Sequence, residues 1–446
     1  MNKKINYLVL LFFFIANCSF DNKSGIWNGN EKEKKKVLAQ EKKQTTGNNT
    51  RVYTSNSYFS EEVKFLSEIN LSVAKKNSFW KMNGLNLQNS TGNIFLSGIE
   101  NRFLKKKFGK DKFNISKIVM PPLITNENII VSDDMGTVFS ISKKGKIKWK
   151  KNIYEKVHKK IYKNLSLFIN NNNIYVSDNI GFIYVINLID GELIWKKNIG
   201  VPIKSNIKIL ENQIFLINQD NRIFCLSVKD GSNLWDLRAT STFIKSQNFL
   251  GLAISKQKNL IVLTSSGDLF KIKATNGQML WSLKINSLTN QNTDFFMSSN
   301  ILLGDDVIIF SASNTLFNFD LSSGYLNWKK NVSSVGTPII DGNNVFIVSS
   351  NGYFINFNKN SGNIIWSTDV FQVLKKKKFN TKVTGFVIGS GKMIATTSNG
   401  YLIESSATSG KVLSSKRISN SISAPPIVSG GSLYILTENS RILGFN

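Results

Sequence analysis

Few side chains in this 446-residue sequence could do chemistry. The one histidine, His158, stands in the run Glu155-Lys156-Val157-His158-Lys159-Lys160, which reads as an exposed loop rather than as the setting of a base or a ligand. Of the two cysteines, Cys18 and Cys225, the second lies in the strand-like run Arg222-Ile223-Phe224-Cys225-Leu226, where a buried, unreactive thiol is expected. One histidine and one such cysteine cannot build the usual zinc site. The adjacent carboxylates Asp133-Asp134 and Asp305-Asp306 fall beside strand ends and fit turn formation better than acid–base work. No glycine-rich phosphate loop opens a helix. The residues that do recur at fixed spacing are a glycine and a tryptophan, and they imply packing before catalysis.

The cadence Gly-x-x-x-Trp runs Gly145 to Trp149, Gly191 to Trp195, Gly231 to Trp235, Gly277 to Trp281, Gly324 to Trp328 and Gly362 to Trp366, taking six of the eight tryptophans. A tandem repeat follows. Within a unit the chain gives three short apolar runs separated by turns and then the tryptophan strand. Thr337–Ile340, Val345–Val348 and Tyr353–Phe357, with Asp341-Gly342 and Asn351-Gly352 between them, are the clearest case. These are hairpin signals, and they predict four-stranded antiparallel meanders. Two further phases lack the tryptophan: Gly410 to Ser414, and Leu104 ahead of Trp149, giving spacings of 45, 46, 40, 46, 47, 38 and 48 residues. After Ser414 only three strands remain, and a lone fourth strand stands near Asn101–Phe108. A ring explains both loose ends, with the N-terminal strand completing the last blade. The expectation is an all-β, eight-bladed β-propeller in which the tryptophans wedge one blade against the next.

A net charge of +28 would suit nucleic acid, an anionic surface or an acidic partner. No nucleic-acid reader motif accompanies it, and lysine is spread through turns and linkers alike. At the N-terminus Asn2-Lys3-Lys4 precedes the apolar run Ile5–Ala16, too short to cross a bilayer about 30 Å thick. The run ends in Ile15-Ala16-Asn17-Cys18, which resembles the lipobox of bacterial lipoproteins; Cys18 would carry the lipid, and Asn17 replaces the small residue usual before it. Residues 1–18 are therefore expected to be a signal segment and 19–76 a polar tether with a reach of about 40 Å. Residues 77–446 are expected to be the propeller.

Over residues 100–446 the tryptophan cadence resembles the repeat of the quinoprotein-like propellers, whose dehydrogenases hold pyrroloquinoline quinone over a tryptophan near calcium, often beside paired cysteines. No such pair occurs here, so the resemblance implies fold without the enzyme; a periplasmic quinoprotein dehydrogenase or sensor stands as the alternative. Signal, tether and eight blades with the tryptophan lost at Ser414 are together similar to the BamB family. That resemblance implies a non-catalytic, cofactor-free scaffold on the periplasmic face of the outer membrane. It would bind the periplasmic domains of BamA in the β-barrel assembly machinery and assist nascent outer-membrane proteins. It also implies contact loops at 239–248 and 288–298, with Phe243, Ile244 and Lys245 as an apolar-plus-basic stretch and Asp294 as an acidic one.

Overall fold

Runs such as Asn344–Val348 and Tyr353–Asn358 are almost wholly buried along their length, which is what a strand shows when its sheet is packed on both faces. In a computed structural model of the chain they belong to eight antiparallel sheets stacked in sequence order. The structure describes residues 59–64, 69–109, 120–240, 249–288, 298–378 and 381–446, with the small hairpin Ser19–Phe20/Trp27–Asn28. By compactness the chain divides into Met1–Ser57 and Tyr58–Asn446.

The propeller lies in the second unit. Blade 1 runs from Leu123–Ile124 to Ile147–Asn152, blade 2 from Ser166–Asn170 to Leu193–Asn198, and blade 3 from Lys208–Leu210 to Asn233–Arg238. Blade 4 runs from Gly251–Ile254 to Met279–Lys284, blade 5 from Leu302–Leu303 to Leu326–Lys330, blade 6 from Ile339–Asp341 to Ile364–Asp369, and blade 7 from Val383–Gly389 to Val412–Arg417. Blade 8 has Ile427–Ser429, Ser432–Thr437 and Arg441–Phe445, and its outermost strand is Arg102–Lys107, supplied from the N-terminal side. The closure expected from the two loose ends is present.

In every blade the pairing of third and fourth strands slips by one residue. The motif position pairs with the residue just before the slip: Trp195 with Val185, Trp366 with Asn356, Ser414 with Glu404 and Leu104 with Gly444. The two tryptophan-free phases are thus structurally equivalent to the other six. The glycine of each motif serves the tryptophan of the blade before it. Gly191, at φ +76°, would place a Cβ 2.8 Å from the Trp149 ring, and Gly231, Gly277, Gly324, Gly362 and Gly410 meet Trp195, Trp235, Trp281, Trp328 and Trp366 in the same way. Five of the indoles also donate to a carbonyl of the next blade, from Trp149 to Leu188 at 3.1 Å through Trp328 to Lys359 at 2.7 Å. Trp328 and Trp366 are buried, while the other four are half-buried at the rim.

The sequence reading placed the end of the tether at Lys76; the structure moves it. Phe59–Lys64 lies on the outer edge of blade 6, where Val63 and Ser367 exchange backbone hydrogen bonds of 3.2 and 2.9 Å. From Asn70 the chain then follows the ring's inner strands. Ser72 donates to Asp341 of blade 6, Asn77 to Val428 O of blade 8, and Trp80 pairs with Ile124 of blade 1. Lys81 O accepts from Ile169 of blade 2, Leu87 O from Ile254 of blade 4 and Gln88 O from Leu303 of blade 5. Asn93–Ile94 adds a parallel strand to Ile388–Gly389 of blade 7, and Ser97 bonds Gly431 of blade 8. This strap touches the inner ends of the blades in turn, beside the turns between first and second strands, before the chain enters the closing strand. It crosses that mouth of the ring.

Candidate protein-interaction site

The opposite mouth carries the long connections between blades. Six of them are rooted by a backbone hydrogen bond to the turn between second and third strands: Ile153 to Gly136, Ile199 to Gly181, Ala239 to Asn221, Ile285 to Gly267, Val370 to Gly352 and Ile418 to Gly400. Repeated anchoring of this kind holds loops of unrelated sequence on one face, the usual arrangement for recognition on a rigid scaffold.

Between blades 1 and 2 the polar groups on this face are already committed. The Tyr154 hydroxyl donates to Asp178 Oδ2 at 2.5 Å, and Asp178 Oδ1 accepts from the amides of Ile180, Gly181 and Phe182. Burial and the Asp178 charge push the Tyr154 phenol far above its usual range. Lys163 is buried over the Tyr154 ring, 4.3 Å from its centroid, with its ammonium donating to the carbonyls of Met135, His158 and Ile161; burial lowers its pKa. His158 is half-buried with its ring edge-on to Phe182, so it packs where the sequence suggested plain exposure. Asp133 Oδ1 accepts from Met135 and Thr137, the expected turn, while Asp305 and Asp306 pair across blades with Lys256 and Lys359. Burial pushes the Cys225 thiol up to about 12, an inert core thiol as expected.

The loops singled out for a partner leave side by side from blades 3, 4 and 5. Loop 239–250 starts at Asn221, whose side chain donates to Thr240 O and accepts from Ser265 of blade 4, and it ends where Leu250 donates to Lys204 O. The next loop starts with the fully buried Ile285 in the short 3₁₀ helix Ile285–Leu288, is held by Lys329 donating to Leu288 O, and returns at Ser299 on Ser311. Phe243, Ile244, Lys245 and Asp294 lie outside the described residues. Beside these roots Arg222 makes a two-pronged pair with Asp236 at 2.6 and 2.8 Å, which lowers the Asp236 pKa.

A quinone and its cation, which the fold suggests as ligands, do not fit the residues present. The strapped mouth is taken by residues 77–93, tied to the blades by Asn77, Gln88 and Asn89 side chains, and Lys208 buries its ammonium there against Asn86 O and Asn89 Oδ1 at 2.9 and 2.6 Å. Among the described residues no three His, Cys, Asp or Glu gather as metal donors.

The family described as outer membrane protein assembly factor BamB matches residues 101–201 and 135–368, more than half of the chain. The chain belongs to the BamB family. A BamB of Shewanella oneidensis is 21% identical over 36% of this chain and 42% of its own length, and an uncharacterized protein of Rickettsia conorii is 22% identical over 50% and 55%. The chain thus spans about half the length of the curated relatives it matches. Among solved structures, BamB from Moraxella catarrhalis superposes with a TM-score of 0.58 at 13% identity, covering 77% of this chain and 98% of that one. The quinohemoprotein alcohol dehydrogenase of Comamonas testosteroni gives 0.65 at 10% identity, covering 83% and 81%. These likenesses show the shared propeller alone.

Proposed function

We propose that this chain is a non-catalytic scaffold of outer-membrane β-barrel assembly that holds the periplasmic domains of BamA, and through them nascent outer-membrane proteins, on its long-loop face. The observation that carries the reading is the BamB family match on a face where two adjacent loops are rigidly rooted and the neighbouring polar groups are satisfied internally. Lys245 and Asp294 supply opposite charges on the two loops, which suits steering and register against a partner. In the same reading residues 1–18 direct export, Cys18 carries the lipid, and the chain between Cys18 and Phe59 tethers the propeller to the periplasmic face of the outer membrane.

The test is capture of BamA's periplasmic domains by the purified chain. Lys245→Glu and Asp294→Lys are each expected to weaken it by on the order of tenfold, chiefly through association rate. Wild-type affinity in both variants rejects these loops while leaving BamA as the partner. No capture by the wild-type chain rejects the function.

A further inference from the structure

The charge of the ring is carried unevenly. The outermost strands of blades 7, 8, 1 and 2 hold eleven Lys and Arg and no Asp or Glu. Those of blades 3 to 6 hold four basic and two acidic residues. Blade 8 bridges blades 7 and 1, since Gly385 meets Pro425 and Phe108 packs edge-on to Phe139 at 5.3 Å. The basic strands therefore form one continuous arc of outer wall. Lysine drift across the whole sequence would charge both halves of the ring alike.

The arc's centre is Arg102–Lys107 beside Ile147–Asn152, where Arg102, Lys105, Lys107, Lys148 and Lys150 are exposed. Lys148 pairs with Glu127 at 3.2 Å, and further along Lys151 pairs with Glu192. Nine of the eleven are lysines, compact point charges on flexible stems, which suit a diffuse field of anions better than the fixed fork of arginine does. Apolar side chains stand exposed among them: Phe103, Leu193, Ile194 and Leu413. Lysine interleaved with exposed aromatic and aliphatic groups is the composition that rests at a lipid headgroup layer. A convex wall meets a flat surface over two neighbouring blades, and blades 8 and 1 are the pair with the most charge.

We propose that the outer wall of blades 8 and 1 docks on an anionic phospholipid surface, so that the propeller lies with its wall, rather than either mouth, against the bilayer. The contact is electrostatic and depends neither on the BamA loops nor on a lipid at Cys18.

The test uses the full chain carrying Cys18→Ala, with phosphatidylcholine vesicles with and without phosphatidylglycerol, followed by co-sedimentation. The neutral vesicles read any binding by the apolar run Ile5–Ala16. Binding is expected to be at least about tenfold tighter with phosphatidylglycerol and to fade as the Debye length falls below about 10 Å. The combined exposed substitutions Lys105→Glu, Lys107→Glu, Lys148→Glu and Lys150→Glu should abolish the gain. Arg238→Glu, Lys229→Glu, Lys273→Glu and Lys284→Glu, with the same charge change on blades 3 and 4, should keep most of it. Equal retention on both vesicle types overturns the proposal, as does equal loss in the two variants. Capture by polyglutamate without capture by anionic vesicles assigns the arc to an acidic protein instead and also overturns it.

Discussion

Lys208 shows what one buried charge does in this ring. Its ammonium is enclosed by Asn83 O, Asn86 O and Asn89 Oδ1 at 3.4, 2.9 and 2.6 Å, and burial pushes its pKa down to about 7 from the ordinary 10.5. Between those two values the unfolded chain holds the proton and the folded chain does not, so stability rises with pH across that window. The slope should approach 1.4 kcal/mol per pH unit, on the order set by one proton. Denaturant titrations at a series of pH values should show this in the wild-type chain, and Lys208→Met should remove it. An unchanged slope in the variant would assign the dependence to other groups. Nothing in Ile207-Lys208-Ile209 announces this role, because its partners come from more than a hundred residues upstream. The tryptophans were legible for the opposite reason, since each repeats at a register that the fold enforces. Their glycines were legible only as turns. That Gly191 makes room for Trp149, and not for its own Trp195, depends on a contact between repeats.

At the scale of elements, the strands and hairpin turns followed from apolar alternation and Asn-Gly or Asp-Gly pairs, whereas the strap did not. Residues 77–97 have no period to read. They are held by scattered side chains on backbone groups, and the one sequence signal was Trp80, a buried tryptophan outside the repeat. The loop roots were equally silent, being single backbone bonds, and the proposed contact residues stand beyond them. Asn89 joins the strap to three blades at once. At φ +56° its side chain donates to Leu252 O of blade 4 and to Ile301 O leading into blade 5, and accepts from Lys208 of blade 3. Asn89→Ala takes the side-chain donor from two buried carbonyls and one of its acceptors from Lys208, and should cost about 2–3 kcal/mol. Faster tryptic cleavage at Lys81 in the variant would report release of the strap. Wild-type stability and cleavage together would mean that the strap rests on the ring without bracing it.

The whole molecule explains one of the two positions without a tryptophan, Ser414. Each motif tryptophan packs on the glycine turn between third and fourth strands of the following blade, and blade 8 has none, because the strand paired to Arg441–Phe445 there is Arg102–Lys107, from the N-terminal side. Asn446 and Asn101 exchange backbone bonds of 3.0 Å where the turn would stand. Ser414, on blade 7, faces that gap and bonds Glu404 of its own blade at 3.1 Å. The defect in the repeat is thus the mark of the closure, and closure is what lets repeats with only neighbour contacts unfold as one. Two deletions separate this from the other N-terminal contacts. Removing Arg441–Asn446 strips the partner from the closing strand, and it should broaden thermal unfolding into more than one step and enlarge the hydrodynamic radius. Removing residues 1–64 takes away, among the described residues, the edge contact on blade 6; it should keep a single transition at a cost of about 1–2 kcal/mol. A sharp, near-native transition after the first deletion would mean that the strap, spanning the blades from inside, closes the ring without blade 8's fourth strand.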